Sequence, residues 1–419
     1  MAVPAMLAQQ REVLRSSHGF RLLFGSTLIS GLGTWLAVVA LTLDVAARTH
    51  QSGWWVAALL VADFLPGVAI GLTLGPLVDR LSRKRLLVAA DLARLAAFVA
   101  LVFATRPWHI VALAFVAGVA SGFARPAAYA GLPNLVSAEM LPRANSLLRT
   151  ADQLTIMVGT LLGGVAVAAS GPDLAYSLNA ASFLLSATLL VRISGTVLQE
   201  GEVPSRGHWR DLAEGFQLVR RSRALAAVLV SWNLAMLAIA LVNVAEVFLA
   251  TVSYDAGSFG YGLLWAAAGL GAVIGALFVS TWLDRLSMTA VYGGAIGLMA
   301  LGDVAAAASP TVWVAIWCVL VGGVGNAAAI VCNSVLVQRG APDHLRGRAF
   351  TLIMGSNFAV LGIGMALAGL LVKVLGGGDD PDAARWVYGI AGGLLALAAL
   401  GGYAMLRRAR EPIPAPAPL

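Results

Sequence analysis

Charge is scarce in this chain, and cysteine scarcer. Asp, Glu, Lys and Arg make up 12% of 419 residues while 59% are hydrophobic, more apolar side chain than a soluble core of this size can hide. A soluble domain is thereby excluded. The only cysteines, Cys318 and Cys332, fall on one expected helix about 21 Å apart at helical rise, beyond disulfide reach. The five histidines (His18, His50, His109, His208 and His344) fall in expected loops or helix ends, so neither an intramembrane histidine relay nor a metal site is expected. No G-x-x-x-x-G-K-[ST] phosphate loop occurs, and the polar segments are too short for a nucleotide-binding domain. With no nucleophile and base at a common depth, neither an enzyme nor a cofactor or nucleotide is expected. The alternating segments of a membrane β-barrel are also missing.

What is present is length in apolar runs. Stretches near 20–46, 54–78, 85–105, 108–130, 145–170, 173–193, 224–250, 258–282, 288–308, 311–336, 349–376 and 384–406 each approach the roughly 20 residues that span a bilayer as helix. The expected fold is an all-α polytopic membrane protein with twelve transmembrane helices. Its net charge of +7 is a topological signal rather than a nucleic-acid footprint. Of 28 Lys and Arg, 22 fall at the termini and in loops of one parity, against Arg48, Arg106, Lys373 and Arg385 in the others. The positive-inside rule then puts both termini in the cytoplasm. Trp54, Trp55, Trp108, Trp313 and Trp386 fall at the opposite interface, as an aromatic belt would. The first apolar stretch is too long for a signal-peptide core and is expected to remain as helix 1.

The chain repeats itself. Asp79-Arg80-Leu81-Ser82 returns 205 residues later as Asp284-Arg285-Leu286-Ser287, and the same offset carries Arg143-Ala144 onto Arg348-Ala349 and Gly159…Gly164 onto Gly364…Gly369. Six spans per copy make the copies parallel repeats about an axis along the membrane normal, with a cavity expected between them. The expected domains are residues 1–193, a cytoplasmic linker 194–223, residues 224–406 and a disordered Pro-rich tail 407–419. In the linker Trp209, Leu212, Phe216 and Val219 recur at helical spacing, as a short interfacial helix would require. Pairs such as Gly159/Gly163 and Gly271/Gly275 have the small-xxx-small spacing of close helix packing. A monomer suffices for this architecture.

Gly75, Leu77, Asp79, Arg80, Arg83 and Lys84 match the G-x-L-a-D-R-x-G-R-[KR] signature between helices 2 and 3 of the major facilitator superfamily, which the chain resembles from about residue 20 to 406. Ser82 replaces the second glycine. Phe123 to Pro126, Leu132 to Val136, Leu141 to Asn145, Gln338, Pro342 and Arg346 to Arg348 resemble its drug, macrolide and enterobactin exporter branch. The resemblance implies the inner membrane of a bacterium. It also implies a cytoplasmic latch at Gly75, Asp79, Arg80, Arg83 and Lys84, whose charge-assisted bonds exchange as the halves rock. Gly159, Gly163 and Gly164 match the G-P-x-x-G-G antiporter motif of helix 5, with Thr160 where proline is usual. The mid-helix-4 basic residue of drug antiporters is missing, since Arg125 comes near the cytoplasmic end. Asp91 and Arg94, three residues apart on helix 3, are expected to form a local ion pair and are grouped with the latch.

Ionisable groups at bilayer depth cost roughly 2.5–3.5 kcal/mol each and are functional candidates. Asp63, mid-helix 2 with no cation on its own helix, is a candidate proton carrier; the alternative is a hydrogen-bonded structural acid. Glu246 on helix 7 and Asp44 on helix 1 extend the proton-coupling set, Asp44 alternatively reaching interfacial water. Trp35, Trp232, Asn233, Asn243, Asn326, Asn333 and Asn357 are the candidate substrate cavity, or helix-packing residues. The expected function is proton-coupled export of a lipophilic drug-like molecule by alternating access. Rivals are export of one siderophore, natural product or lysolipid, and a transport-inactive receptor or scaffold. The expected partners are that small lipophilic substrate, protons and the lipid bilayer, with no nucleic acid.

Overall fold

The computed structural model describes residues 13–15, 17–73, 82–194, 216, 219, 222–341 and 346–408. Among them are twelve long helices and no strand: α1 His18–Arg48, α2 Gly53–Thr73, α3 Arg83–Val102, α4 Pro107–Gly131, α5 Leu141–Ser170 and α6 Pro172–Val191 in the first half. The second half supplies α7 Arg223–Phe248, α8 Gly257–Arg285, α9 Met288–Ala308, α10 Val312–Gly340, α11 Arg346–Val374 and α12 Pro381–Arg408. Ten are long and apolar enough to cross a bilayer. The other two are α2, of which Gly53–Gly67 is apolar, and α3, which carries Arg85, Asp91 and Arg94. These charges are the reason α3 reads as a weaker span, and all three recur below as functional or boundary groups.

Local chemistry sets the ends. Ser17, Ser82 and Ser287 cap α1, α3 and α9, each side chain accepting a backbone N–H from Phe20, Arg85 and Ala290, which satisfies donors the first helical turn leaves orphaned. The repeated Asp-Arg-Leu-Ser therefore ends in the same device in both halves, and a capping serine is what stands where the signature has its second glycine. Pro107, Pro142 and Pro172 enter the first turns of α4, α5 and α6, where proline costs no hydrogen bond. Gly171, at φ 78°, turns the chain between α5 and α6. Large apolar side chains such as Leu277, Phe278, Leu301, Leu397 and Leu400 stay exposed, as lipid-facing surfaces do. Of the expected aromatic belt, Trp54, Trp108, Trp313 and Trp386 are exposed.

By Cα proximity the chain forms two compact units, Met1–Ser205 with Asn243–Gly269 and Met365–Ala384, and Arg206–Val242 with Leu270–Gly364 and Arg385–Leu419. In the first unit α1 packs on α5 and α6, α2 on α4, and α3 on α4 and α6. The second unit includes the close pair α9 and α10.

The 205-residue repeat reappears as paired contacts. In the first unit Gly159 of α5 lies against Leu32 and Trp35 of α1; a Cβ there would sit 2.8 Å from the Leu32 carbonyl oxygen and 2.8 Å from Trp35 Cβ. In the second unit Gly364 of α11 lies against Leu237 and Ala240 of α7; a Cβ there would sit 3.3 Å from Leu237 O and 2.6 Å from Ala240 Cβ. All three positions are related by the same offset. Within the first unit a Cβ added at Gly164 of α5 would sit 2.7 Å from Ser258 O and 3.1 Å from Gly262 Cα of α8, while one added at Gly369 of α11 would sit 2.8 Å from Gly53 O and 2.9 Å from Ala57 Cβ of α2. Ser258 and Gly262 are 205 residues beyond Gly53 and Ala57. The two contacts are thus one contact made twice, each half supplying the glycine once and its seat once. Thr160 keeps the backbone N–H that proline would remove and bonds its hydroxyl to Ile156 O at 2.8 Å, and α5 runs unbroken from Leu141 to Ser170.

Candidate functional site

Asp63 is held by the shape of α4. Pro66 removes the N–H that would bond the Ala62 carbonyl, and Gly118 of α4 approaches there, its Cβ position 2.9 Å from Ala62 O and closer still to Asp63 O. One turn on, a Cβ at Gly122 would sit 2.7 Å from Gly67 Cα. Two bare glycines thus seat α2 so that Asp63, partly buried, faces α3. Gly118→Leu should overpack this contact by about 1–3 kcal/mol. The expected results are a lowered unfolding temperature in detergent and loss of transport, with Gly118→Ala intermediate.

On α3, Arg94 Nη2 donates to Asp91 Oδ1, Arg94 Nε donates to Ala90 O at 3.3 Å, and the guanidinium lies 4.4 Å from the Phe183 ring centroid of α6. Asp91 is 1% and Arg94 9% exposed. The expected local ion pair is present, and it is a buried cluster rather than a surface one. Ser186 of α6 lies beside the Asp91 carboxyl, whose Oδ2 lacks a well-formed hydrogen bond. Arg94 also acts electrostatically on Asp63, and among the described residues the Asp63 carboxyl has no hydrogen bond. Two carboxyls therefore share one guanidinium in a low-dielectric setting. The group carries one net negative charge when both are ionised and none when one holds a proton, a composition suited to taking up and releasing a proton.

The next residue along α2 belongs to a different cluster of the same unit. Phe64 lies 6.4 Å from Trp35 of α1 between ring centroids, and Trp35 lies 5.8 Å from Trp265 of α8. Beside them Tyr261, fully buried, presents its hydroxyl near Thr42 and Trp265 without a well-aligned hydrogen bond to either, and it feels the charge of Glu246. Glu246 is 4% exposed. The cluster thus combines aromatic faces, a phenol and a carboxylate. Asn243 is partly buried one turn away on α7.

Asp44 has a local explanation. Its Oδ1 accepts from Arg48 Nε at 2.6 Å and its Oδ2 from the Tyr176 hydroxyl at 2.9 Å, while Arg48 Nη1 donates to Ala104 O at 3.0 Å. This network ties α1 to the loop after α3 and to α6, and both carboxylate oxygens are used. Of the latch, Gly75, Asp79 and Arg80 lie outside the described residues, as does most of the linker; Arg83 opens α3, and Lys84 Nζ donates to Val191 O at the end of α6 at 2.7 Å.

In the second unit Trp232 is 3% exposed. Asn233 Nδ2 donates to Leu229 O and Ser356 Oγ at 2.8 and 3.1 Å, and the side-chain oxygens of Asn233, Asn326, Asn333 and Asn357 are buried without a partner among the described residues. Two groups escaped the sequence reading. Asp303, partly buried within α9, satisfies the criterion that singled out Asp63. Asp152 of α5 accepts from the Tyr129 hydroxyl at 2.9 Å and pairs with Arg125 at 3.4 Å; 23 and 27 residues separate it from those partners, too far for a local pattern to signal.

Twelve long helices in two repeated halves, ten of them apolar enough to cross a bilayer and with charged groups buried among them, define a multi-pass membrane protein. The chain belongs to the major facilitator superfamily: the model of the transmembrane secretion effector family matches residues 14–412. It is 28% identical over 421 residues to the enterobactin exporter EntS of Citrobacter koseri, covering 97% of this chain and 96% of that one. It is 25% identical over 360 residues to the putative bacilysin exporter BacE of Bacillus amyloliquefaciens, covering 84% and 88%. The crystal structure of a bacterial homologue of the iron transporter ferroportin, in its inward-facing state, superposes with a TM-score of 0.71 at 18% identity, covering 96% of this chain and all of that one. The similar proteins are transporters rather than enzymes.

Proposed function

We propose that the protein is a proton-coupled exporter of small amphipathic or lipophilic molecules, working by alternating access between two six-helix halves. The observation that carries this reading is the register of α2, where Asp63 faces the Arg94 charge and Phe64, one residue on, faces Trp35. A shift of α2 on its glycine seat moves both together, so protonation and occupancy of the aromatic cluster become one conformational equilibrium. A substrate favours one state only through its differential affinity for the two.

With the termini in the cytoplasm, the Gly164 and Gly369 contacts form the outer seal, and Asp63, Asp91 and Arg94 exchange a proton as that seal opens. Glu246 belongs to the substrate cluster, and Asp44 braces α1. The latch around Asp79 closes the opposite side. A narrower substrate range, one siderophore or natural product, is supported by the names of the similar exporters.

Inverted membrane vesicles test the reading. Vesicles energised to be acid inside should accumulate ethidium or another lipophilic dye of a panel, and a protonophore should abolish the accumulation. Uptake unaffected by protonophore, or found only in right-side-out vesicles, would refute it.

A further inference from the structure

The second unit holds a layer of side-chain carbonyl oxygens that have no hydrogen-bond partner among the described residues. At one end of it Leu225, Val228 and Leu229 of α7 pack with Leu336 and Val337 of α10 and with Leu352 and Ile353 of α11. Asn233 follows Leu229 by about one turn, Asn333 precedes Leu336 by about one turn on the antiparallel α10, and Asn357 follows Ile353 by about one turn. The three asparagines therefore lie in one layer above the apolar plug. The Asn233 bond to Ser356 Oγ, at 3.1 Å, fixes α7 against α11 in that layer.

The repeat locates the third helix independently. Asn357 is the counterpart of Asp152, which Tyr129 and Arg125 of α4 hold. Their counterparts on α10 are Ser334 and Ile330, which flank Asn333. Where the first half has a carboxylate satisfied by a phenol and a guanidinium, the second has a neutral amide with neither.

Asn333 and Asn357 are 5% and 3% exposed, and the Oδ1 atoms of Asn233, Asn333 and Asn357 are buried without a hydrogen bond. Buried acceptors left unpaired cost free energy and call for a donor. We propose that this layer is the subsite for a primary ammonium group on the transported molecule. An ammonium brings three N–H donors and no acceptor, the complement of three amide oxygens, whereas an anion brings acceptors where the layer already has a surplus. Neutral oxygens solvate the cation without holding it as tightly as a carboxylate would, which suits a molecule that must be released. The proposal rests on the transport function above.

The test is equilibrium binding to the purified protein in detergent, which requires no gradient and no turnover. The probes are dansylcadaverine, a primary amine, and its N-acetyl derivative. Wild type should bind the amine about tenfold tighter than the amide, since the amide cannot replace the donors. Asn333→Leu should bring that ratio toward one. Asn357→Asp keeps the oxygen and adds charge, so it should tighten amine binding about tenfold further and leave the amide unchanged; a well-folded Asn357→Asp keeps the test decisive if Asn333→Leu fails to fold. Equal affinities in wild type, a ratio unmoved by both variants, or weaker amine binding in Asn357→Asp would overturn the proposal. So would displacement of the amine by millimolar Na⁺ but not by choline, which would assign the layer to an inorganic cation. Amine selectivity without proton-driven export would instead refute the transport mechanism and leave the subsite standing.

Discussion

Asp63→Asn is expected to abolish proton-driven transport while leaving the protein folded and inserted. Asparagine matches the carboxyl in shape and in depth on α2, so the glycine seat at Gly118 and Gly122 is undisturbed; what is lost is the exchange between charged and neutral forms. The Asp91–Arg94 pair then stands as a fixed neutral unit, with no second carboxyl to share the guanidinium. Energised uptake should fall to the background of empty vesicles, while downhill exchange of dye, which needs no net proton movement, should persist. Arg94→Leu is the harsher change. Removing one partner of a buried pair leaves an uncompensated charge and costs about 3–5 kcal/mol, so that variant should lose both expression and transport. Full energised uptake by Asp63→Asn would remove this carboxyl from the mechanism.

Gly164→Leu and Gly369→Leu are expected to drive the protein out of the state described here. At each site a Cβ would already lie 2.7–2.8 Å from a backbone oxygen, Ser258 O for Gly164 and Gly53 O for Gly369, and backbone cannot yield as a side-chain tip can. An overpacking cost of about 1–3 kcal/mol falls on the closed contact alone, which corresponds to a roughly 5- to 150-fold shift in the balance of states. Accessibility should report it. A cysteine at Trp35, in a background with Cys318 and Cys332 replaced by serine, should react with a membrane-impermeant maleimide from outside the cell much faster in either glycine variant than in the parent. Because the contacts are symmetry mates, both substitutions should act in the same direction. Opposite effects would show that the two seals do different work.

Much of the fold was legible because helix ends are written locally. The expected spans and the observed helices agree to within about five residues at each boundary, since runs of apolar residues stop at serine caps, glycines and prolines whose effects extend only one turn. The repeat was legible because it rests on spacing between glycines, and the structure gives that spacing a cause: residues 159 and 364 must be small where α5 and α11 cross α1 and α7. The Asp91–Arg94 pair could be read from its separation of three residues. Its link to Asp63 could not, because the two groups lie 31 residues apart on helices whose facing is set by Gly118 and Gly122. For Asp44, the Arg48 partner is legible one turn away at the spacing of a helical ion pair, whereas Tyr176, 132 residues distant, completes that network only in the fold. Tyr261 gives Glu246 its setting from another helix, and the asparagine layer depends on three helices at once. Asp303 was visible in the sequence by the same test as Asp63, a lone acid within an apolar run.

The most direct measurement of the central claim is proton movement itself. Proteoliposomes carrying the purified protein, with pyranine trapped inside and no imposed gradient, should show a change in lumenal pH when ethidium is added outside, opposite in direction to proton co-transport. The signal should be absent with Asp63→Asn, because that substitution removes the proton site. Dye entry with no pH change in the wild-type protein, or an equal pH change with Asp63→Asn, would contradict proton coupling through this carboxyl.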